Sequence, residues 1–264
     1  MDTDSFNKFK YSILVFFLSL LFGCQNFSCP ITSQINADVV EVFDGDTIQI
    51  AGGRIVRYIG IDTPELHKRT GEKWVDANEP FAKQAKEFNE KLVKGKRVKL
   101  EFDVERRDKY GRVLAYCFVD NEFVNERILE EGLGLLYTSA PNVKYADILV
   151  ASQKKARDNQ KGLWAKECIA QAQDASFCLG KVATITGKVL QVARLENVVY
   201  LNFGRDYRSD FTAVIFNKDL PSFIAAGYSL SGFKGKVVRV FGKIKEYNGP
   251  EIIIHHPSQI EVIQ

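Results

Sequence analysis

The chain has 264 residues, 45% of them hydrophobic and 26% charged. These proportions exclude a disordered polyelectrolyte and a multi-span membrane protein, and leave room for two small domains with separate cores. A formal charge of +3 at pH 7 permits a nucleic-acid partner without demanding one, so where the charge sits matters more than its total.

The N-terminus reads as an export segment. Lys8 and Lys10 precede an apolar run over 11–22, and a helix of that length rises about 18 Å, short of the ~30 Å hydrocarbon core. Residues 1–24 are therefore set apart from the fold, with 25–36 as a linker. Export places the remaining cysteines in an oxidising compartment. Cys117, in the alternating run VLAYCFV, reads as a buried small hydrophobe. Cys168 and Cys178, in the polar segment KECIAQAQDASFC, read as a disulfide closing a short loop, and without CxxC spacing a zinc site is disfavoured.

Strands are predicted at 37–43, 47–50, 54–61, 97–103 and 112–119, where β-branched and aromatic residues stand between turn signals such as Asp44-Gly45 and Gly52-Gly53. Helical spacing takes over after Pro80, with Phe81, Ala85, Phe88 and Leu92 on one face and Gly95 as the stop. Further helices are predicted at 124–131 and 145–159, the latter carrying Lys154, Lys155 and Arg157 on a solvated face. Residues 167–181 read as a connector. Strands resume at 182–192, 198–203 and 212–216, followed by a helix at 220–230 and strands at 236–244 and 251–254, the last two joined by the turn YNGP. Three strands, a helix and two strands is the order of an oligonucleotide/oligosaccharide-binding (OB) barrel. The fold class is thus mainly β with helices (α+β): an antiparallel β unit with helices over 37–166, then an OB-like barrel over 182–264.

The chemistry concentrates in residues 43–65, FDGDTIQIAGGRIVRYIGIDTPE. Asp46 follows a strand and turn, and Asp62 ends the next long strand. On neighbouring strands the two carboxylates converge at one sheet end as hard oxygen ligands for Ca²⁺ or Mg²⁺, with backbone carbonyls and water completing the shell. The plainer alternative is that DGD is a hairpin turn and DTPE a turn or helix cap. Arg57 interrupts an apolar strand, so it either faces solvent or faces inward onto an anion or acid. It precedes Asp62 by five residues, which puts the two on opposite faces of an ideal strand. A bend after Ile59, at Gly60, is needed to bring them together. Arg112, in the turn DKYGR, is a second guanidinium able to hold phosphate oxygens. His255 and His256 are adjacent and face opposite ways on a strand, a poor metal pair.

FDGDT, then R-x4-DTPE from Arg57 to Glu65, then DKYGR-x-LAY from Asp108 to Tyr116 resemble the thermonuclease (staphylococcal nuclease) family in the same order, supported by NERILEEGL from Asn125 and GLW at 162–164. The resemblance covers 37–166 and implies an OB-type five-stranded barrel with three helices there, followed by the second OB-like β-barrel domain. It implies calcium-dependent hydrolysis of phosphodiester bonds in DNA and RNA, leaving 3′-phosphate ends, with single strands preferred. On it, Asp46 and Asp62 match calcium carboxylates and Thr63 the residue offering a backbone carbonyl, while Arg57 and Arg112 match phosphate-binding arginines. Glu65 matches the general base or water-positioning residue, and Lys109, Tyr110 and Tyr137 match substrate contacts. The loop over 67–78 matches a mobile substrate-side loop. Residues 182–264 resemble an additional OB-type domain found beside this nuclease domain in some bacterial proteins. There Arg205, Tyr207, Arg208, Lys243, Lys245 and Tyr247 form a candidate basic, aromatic surface or are ordinary strand residues. The segment LFGC at 21–24 resembles a bacterial lipobox and implies lipidation at Cys24 and a membrane anchor at the cell envelope; an ordinary cleaved signal and an uncleaved anchor are the alternatives. No protein partner is implied. The competing function is non-catalytic nucleic-acid binding at the cell surface.

Overall fold

A computed structural model describes residues 33–71, 73–77 and 79–264. The expected export segment, with Cys24, lies outside the described residues. Among the described residues no helix is long and apolar enough to cross a membrane.

The first barrel begins with β1 (Gln34–Val42), β2 (Thr47–Ile50) and β3 (Arg54–Tyr58), an antiparallel meander with Val42 opposite Ile48 and Ile48 opposite Val56. The strand predicted over 54–61 is broken: β3 ends at Tyr58 and β4 (Gly60–Asp62) restarts after a kink at Gly60, whose φ is +84°. A short hairpin follows, β5 (His67–Thr70) with β6 (Lys73–Asp76), and then α1 (Ala82–Val93). Next come β7 (Arg97–Glu101), β8 (Val113–Val119), β9 (Glu122–Phe123), α2 (Val124–Glu130), β10 (Leu135–Tyr137) and α3 (Ala146–Asp158). β1 pairs with β7, β7 with β8, and β8 runs parallel to β3, so five strands close on themselves. The inward positions, among them Ile48, Val56, Leu100, Ala115 and Cys117, are fully buried in one apolar core. Closure leaves no free edge along these five strands.

The second barrel starts earlier than expected. The stretch read as a connector contains β11 (Cys168–Gln171), which pairs in parallel with β12 (Val182–Lys188), and a 3-10 turn over Ala172–Cys178 that buries Ala172, Ala175 and Cys178. Cys168 and Cys178 are disulfide-bonded, with Cα atoms 5.7 Å apart. The strand predicted over 182–192 breaks after β12 and resumes as β13 (Gln191–Arg194). β14 (Val198–Asn202), β15 (Thr212–Phe216), α4 (Leu220–Ala225), β16 (Val237–Glu246), β17 (Pro250–Ile253) and β18 (Ile260–Val262) complete the chain. The helix predicted over 220–230 is cut short at Ala226, ahead of Gly227. Taking β12 and β13 as one interrupted strand, the pairing runs β13–β14–β15–β17–β16–β12. That is the cyclic order of the first barrel, again with β15 and β17 parallel and the helix between its third and fourth strands.

The two cores meet through a third small cluster of Ala156, Trp164, Val182 and Phe241. Arg157, expected on a solvated helix face, is inserted there, with its guanidinium 4.0 Å from the Phe241 ring centroid. Lys154 and Lys155 do face outward, pairing with Asp158 and Glu130.

Candidate active site

The kink at Gly60 answers the alternation problem. Reversing the chain's facing after Ile59 lets Arg57 donate from Nη2 to Asp62 Oδ1 at 2.7 Å while its Nη1 contacts Asp46 Oδ1. Asn125 fixes the bend from behind: its Nδ2 donates to the Ile59 carbonyl at 2.8 Å and its Oδ1 accepts the Cys117 N–H at 3.0 Å. An alanine at position 60 would set its Cβ 2.4 Å from Leu149 Cδ1, at a φ that L-residues avoid.

Asp46 is 1% exposed and Arg57 13%. A buried carboxylate needs its oxygens satisfied. Oδ2 accepts the Thr63 N–H at 2.8 Å and Oδ1 accepts the Thr47 hydroxyl at 3.0 Å. The turn before it is held by Asp44, whose Oδ1 accepts the Asp46 N–H at 3.0 Å. Gly45 fits between Ala85 and Thr63, where an added Cβ would lie 2.7 Å and 2.8 Å from their side chains. Burial raises the pKa of Asp44 against the opposing pull of Arg57 and Arg112.

Glu65 opens the next segment at an exposed position. Desolvation against the cleft wall, then the negative charges of Asp44, Asp62 and Glu79, push its carboxyl up to about 7 despite Arg57. Its backbone N–H donates to Glu79 Oε2 at 3.1 Å, and the Glu79 N–H returns to the Glu65 carbonyl at 3.3 Å. The loop read over 67–78 is therefore a hairpin pinned at its base, with His67 Nδ1 and Asp76 Oδ1 3.0 Å apart.

Arg112 lies immediately before β8, whose Val113 is in register with Val56 beside Arg57. Asp108 orients it, accepting from Arg112 Nε at 2.6 Å and from its backbone N–H at 2.9 Å. Tyr110 stands exposed on the same loop, with Lys109 Nζ 5.0 Å and the Arg112 guanidinium 5.6 Å from its ring centroid. Tyr137, at the far end of β10 from Asp62, does not stand alone in the cleft: its ring lies 4.3 Å from that of His255 and beneath Lys218 Nζ at 5.8 Å. Asp44, Asn89, Asn125 and Glu79 were missed in the sequence because each acts on a neighbour's backbone or charge. Asn89, for example, joins the Asp44 carbonyl to the Tyr58 hydroxyl.

Two carboxylates gathered around one guanidinium charge form a pocket of hard oxygen donors. The Thr63 hydroxyl is buried beside them with no hydrogen-bond partner among the described residues, so donor capacity is spare. This donor set suits Ca²⁺ or Mg²⁺ and no soft metal. Among the described residues no three acidic, histidine or cysteine side chains close into a metal cage, which leaves backbone oxygen and solvent to complete a shell.

An OB-type barrel carrying paired acids, a bridging arginine and a second arginine at one sheet end defines a thermonuclease-like protein. The profile described as "Staphylococcal nuclease homologue" matches residues 55–166. The chain is 38% identical over 131 residues to the thermonuclease of Staphylococcus intermedius, covering 75% of that protein and 48% of this chain. With the thermonuclease of Staphylococcus hyicus it shares 35% over 130 residues, covering 74% and 48%. It is also 36% identical over 159 residues to the SPbeta prophage-derived endonuclease YokF of Bacillus subtilis, spanning 52% of that protein's length and 58% of its own. The chain belongs to the staphylococcal nuclease (thermonuclease) family.

Proposed function

We propose that the chain is an exported, calcium-dependent nuclease that hydrolyses phosphodiester bonds of DNA and RNA to 3′-phosphate ends. The observation that carries this reading is the Gly60 bend, which gathers Asp46, Arg57 and Asp62 within contact distance next to Glu65. Ca²⁺ held by Asp46, Asp62 and the Thr63 carbonyl would polarise the phosphate and its attacking water. Glu65 accepts or orients the proton at the water oxygen, and a carboxyl poised near neutrality suits that task. Arg57 and Arg112 present N–H groups to the non-bridging oxygens where charge grows in the transition state. Lys109 and Tyr110, exposed on the Arg112 loop, lie near the substrate's terminal phosphate on this reading.

The second barrel, on this reading, binds nucleic acid through exposed Tyr207, Arg208 and Tyr247. The disulfide in the described residues suits an oxidising compartment, consistent with export and with an anchor at Cys24. The test is digestion of single-stranded DNA with calcium against chelator. Arg57→Ala and Glu65→Gln are each expected to lower turnover about 10²-fold or more. Wild-type cleavage that ignores calcium overturns the calcium-dependent mechanism, and no cleavage at all returns the chain to a binding role.

A further inference from the structure

Between the barrels lies a cavity of about 460 Å³ whose wall includes Asp62 and Thr63 of the candidate active site. Its volume falls within the range of small-ligand sites, roughly 300–1,000 Å³. Phe81 and Leu135 of the first barrel and Val182 of the second give it apolar faces, while Lys166, Lys181 and Lys243 give it amines.

The charges do not cancel in situ. The lining acids are engaged: Asp62 by Arg57, Glu79 by Lys243 at 2.6 Å, and Glu167 by Arg157 at 3.6 Å and the Thr184 hydroxyl. Lys166 Nζ instead sits 5.6 Å from the Phe81 ring centroid, and Lys181 Nζ donates only to the Phe177 carbonyl at 3.4 Å. Among the described residues neither amine has a carboxylate within ion-pair distance. A cavity with apolar faces and two uncompensated cations suits a ligand that is part flat and apolar and part anionic. A strand crossing Asp62 carries such a unit one nucleotide from its scissile phosphate.

We propose that this seam is a subsite for the nucleotide flanking the scissile phosphate, with its phosphate on Lys166 and Lys181 and its base against Phe81. The second barrel then supplies part of the substrate cleft. This rests on the nuclease reading for the strand's path.

The test is anisotropy of a fluorescein-labelled single-stranded DNA octamer in chelator, where no cleavage intervenes, titrated with the full chain across a salt series. Lys166→Ala and Lys181→Ala are each expected to weaken binding about tenfold and to lower the steepness of log affinity against log salt by about 0.7, as for one lost phosphate contact on a single strand. Among the described residues Lys181 makes no ion pair, so its variant reads the subsite while leaving the Lys243–Glu79 pair across the seam in place. Lys181→Arg is expected to keep the wild-type slope. Unchanged affinity in Lys181→Ala, a drop with no change of slope, or a wild type that does not bind overturns the subsite. A wild type that binds with lysine-dependent slope and yet cleaves nothing with calcium sinks the nuclease reading and leaves the subsite standing.

Discussion

At the scale of single residues, the site stores a penalty in the fold. Glu65 titrates near 7 in the folded chain against an ordinary 4.5, first from desolvation and then from neighbouring acids. A carboxyl whose folded pKa is raised binds more protons folded than unfolded between those values, so stability falls as pH rises from 4.5 through 7 and stays lower above. Glu65→Gln is therefore expected to be more stable than wild type at pH 8 in chelator, by about 1 kcal/mol once solvent screening at this exposed position is allowed for. The advantage closes as pH falls toward 4.5. Denaturant midpoints at pH 5 and pH 8 measure it; equal gaps at both would mean that the carboxylate is not strained by its neighbours. That Asp46, Asp62 and Arg57 can act together was legible in the sequence only as a demand for a bend. The glycine able to make it was visible, whereas Asn125, which holds it, was not, since a buried asparagine bonding distant backbone leaves no local pattern.

At the scale of elements, strands were legible where β-branched and aromatic residues, which suit a buried pleated surface, stand between turn signals, and β2 and β15 occupy the predicted spans. What escaped was short or tertiary. β10 has three residues and exists by pairing with β4, and β11 exists by pairing with β12. The attachment of α3 to the first barrel is likewise tertiary. Glu101, at the end of β7, accepts from Lys99 at 2.8 Å and, just before α3, from Lys144 at 2.9 Å and the Tyr145 hydroxyl at 2.7 Å. Burial alone would raise its pKa, but these bonds outweigh burial and hold it at about 2. A depressed carboxyl stabilises above its unfolded value of 4.5 and loses that contribution as pH falls toward 2. Glu101→Gln is thus expected to cost on the order of 2–3 kcal/mol at pH 7. The gap to wild type should shrink through pH 3, and urea melts at the two pH values read it directly. A gap independent of pH would assign the loss to packing rather than to the charge.

At the scale of the whole molecule, the two barrels are joined by side chains that belong to neither core. Arg157, 22% exposed on α3, stacks on Phe241, lies 5.8 Å from the Trp164 ring centroid, donates to Thr184 at 3.1 Å and pairs with Glu167. All but Trp164 come from the sheet or lead-in of the second barrel. A planar cation fills this place better than a point charge, because one guanidinium can lie on a ring and donate in its own plane. Removing it leaves the Glu167 carboxylate without its cation and an aromatic face wet, a loss we expect to be about 2–3 kcal/mol. The location of the loss matters more than its size. Cooperative unfolding of two barrels as one unit requires that opening the seam cost more than either barrel's own melting can supply. Arg157→Ala is accordingly expected to split a single calorimetric transition into two. Arg157→Lys, which keeps charge and loses the plane, should fall between. A single transition that merely shifts would place the coupling in the Ala156–Trp164–Val182–Phe241 cluster instead of the arginine. The same logic bears on truncation: removing 182–264 strips Trp164 of Val182 and Phe241, so lost nucleic-acid affinity in such a fragment would report exposed seam as much as a missing binding surface, and point variants such as Lys181→Ala are the cleaner probe of what the second barrel contributes.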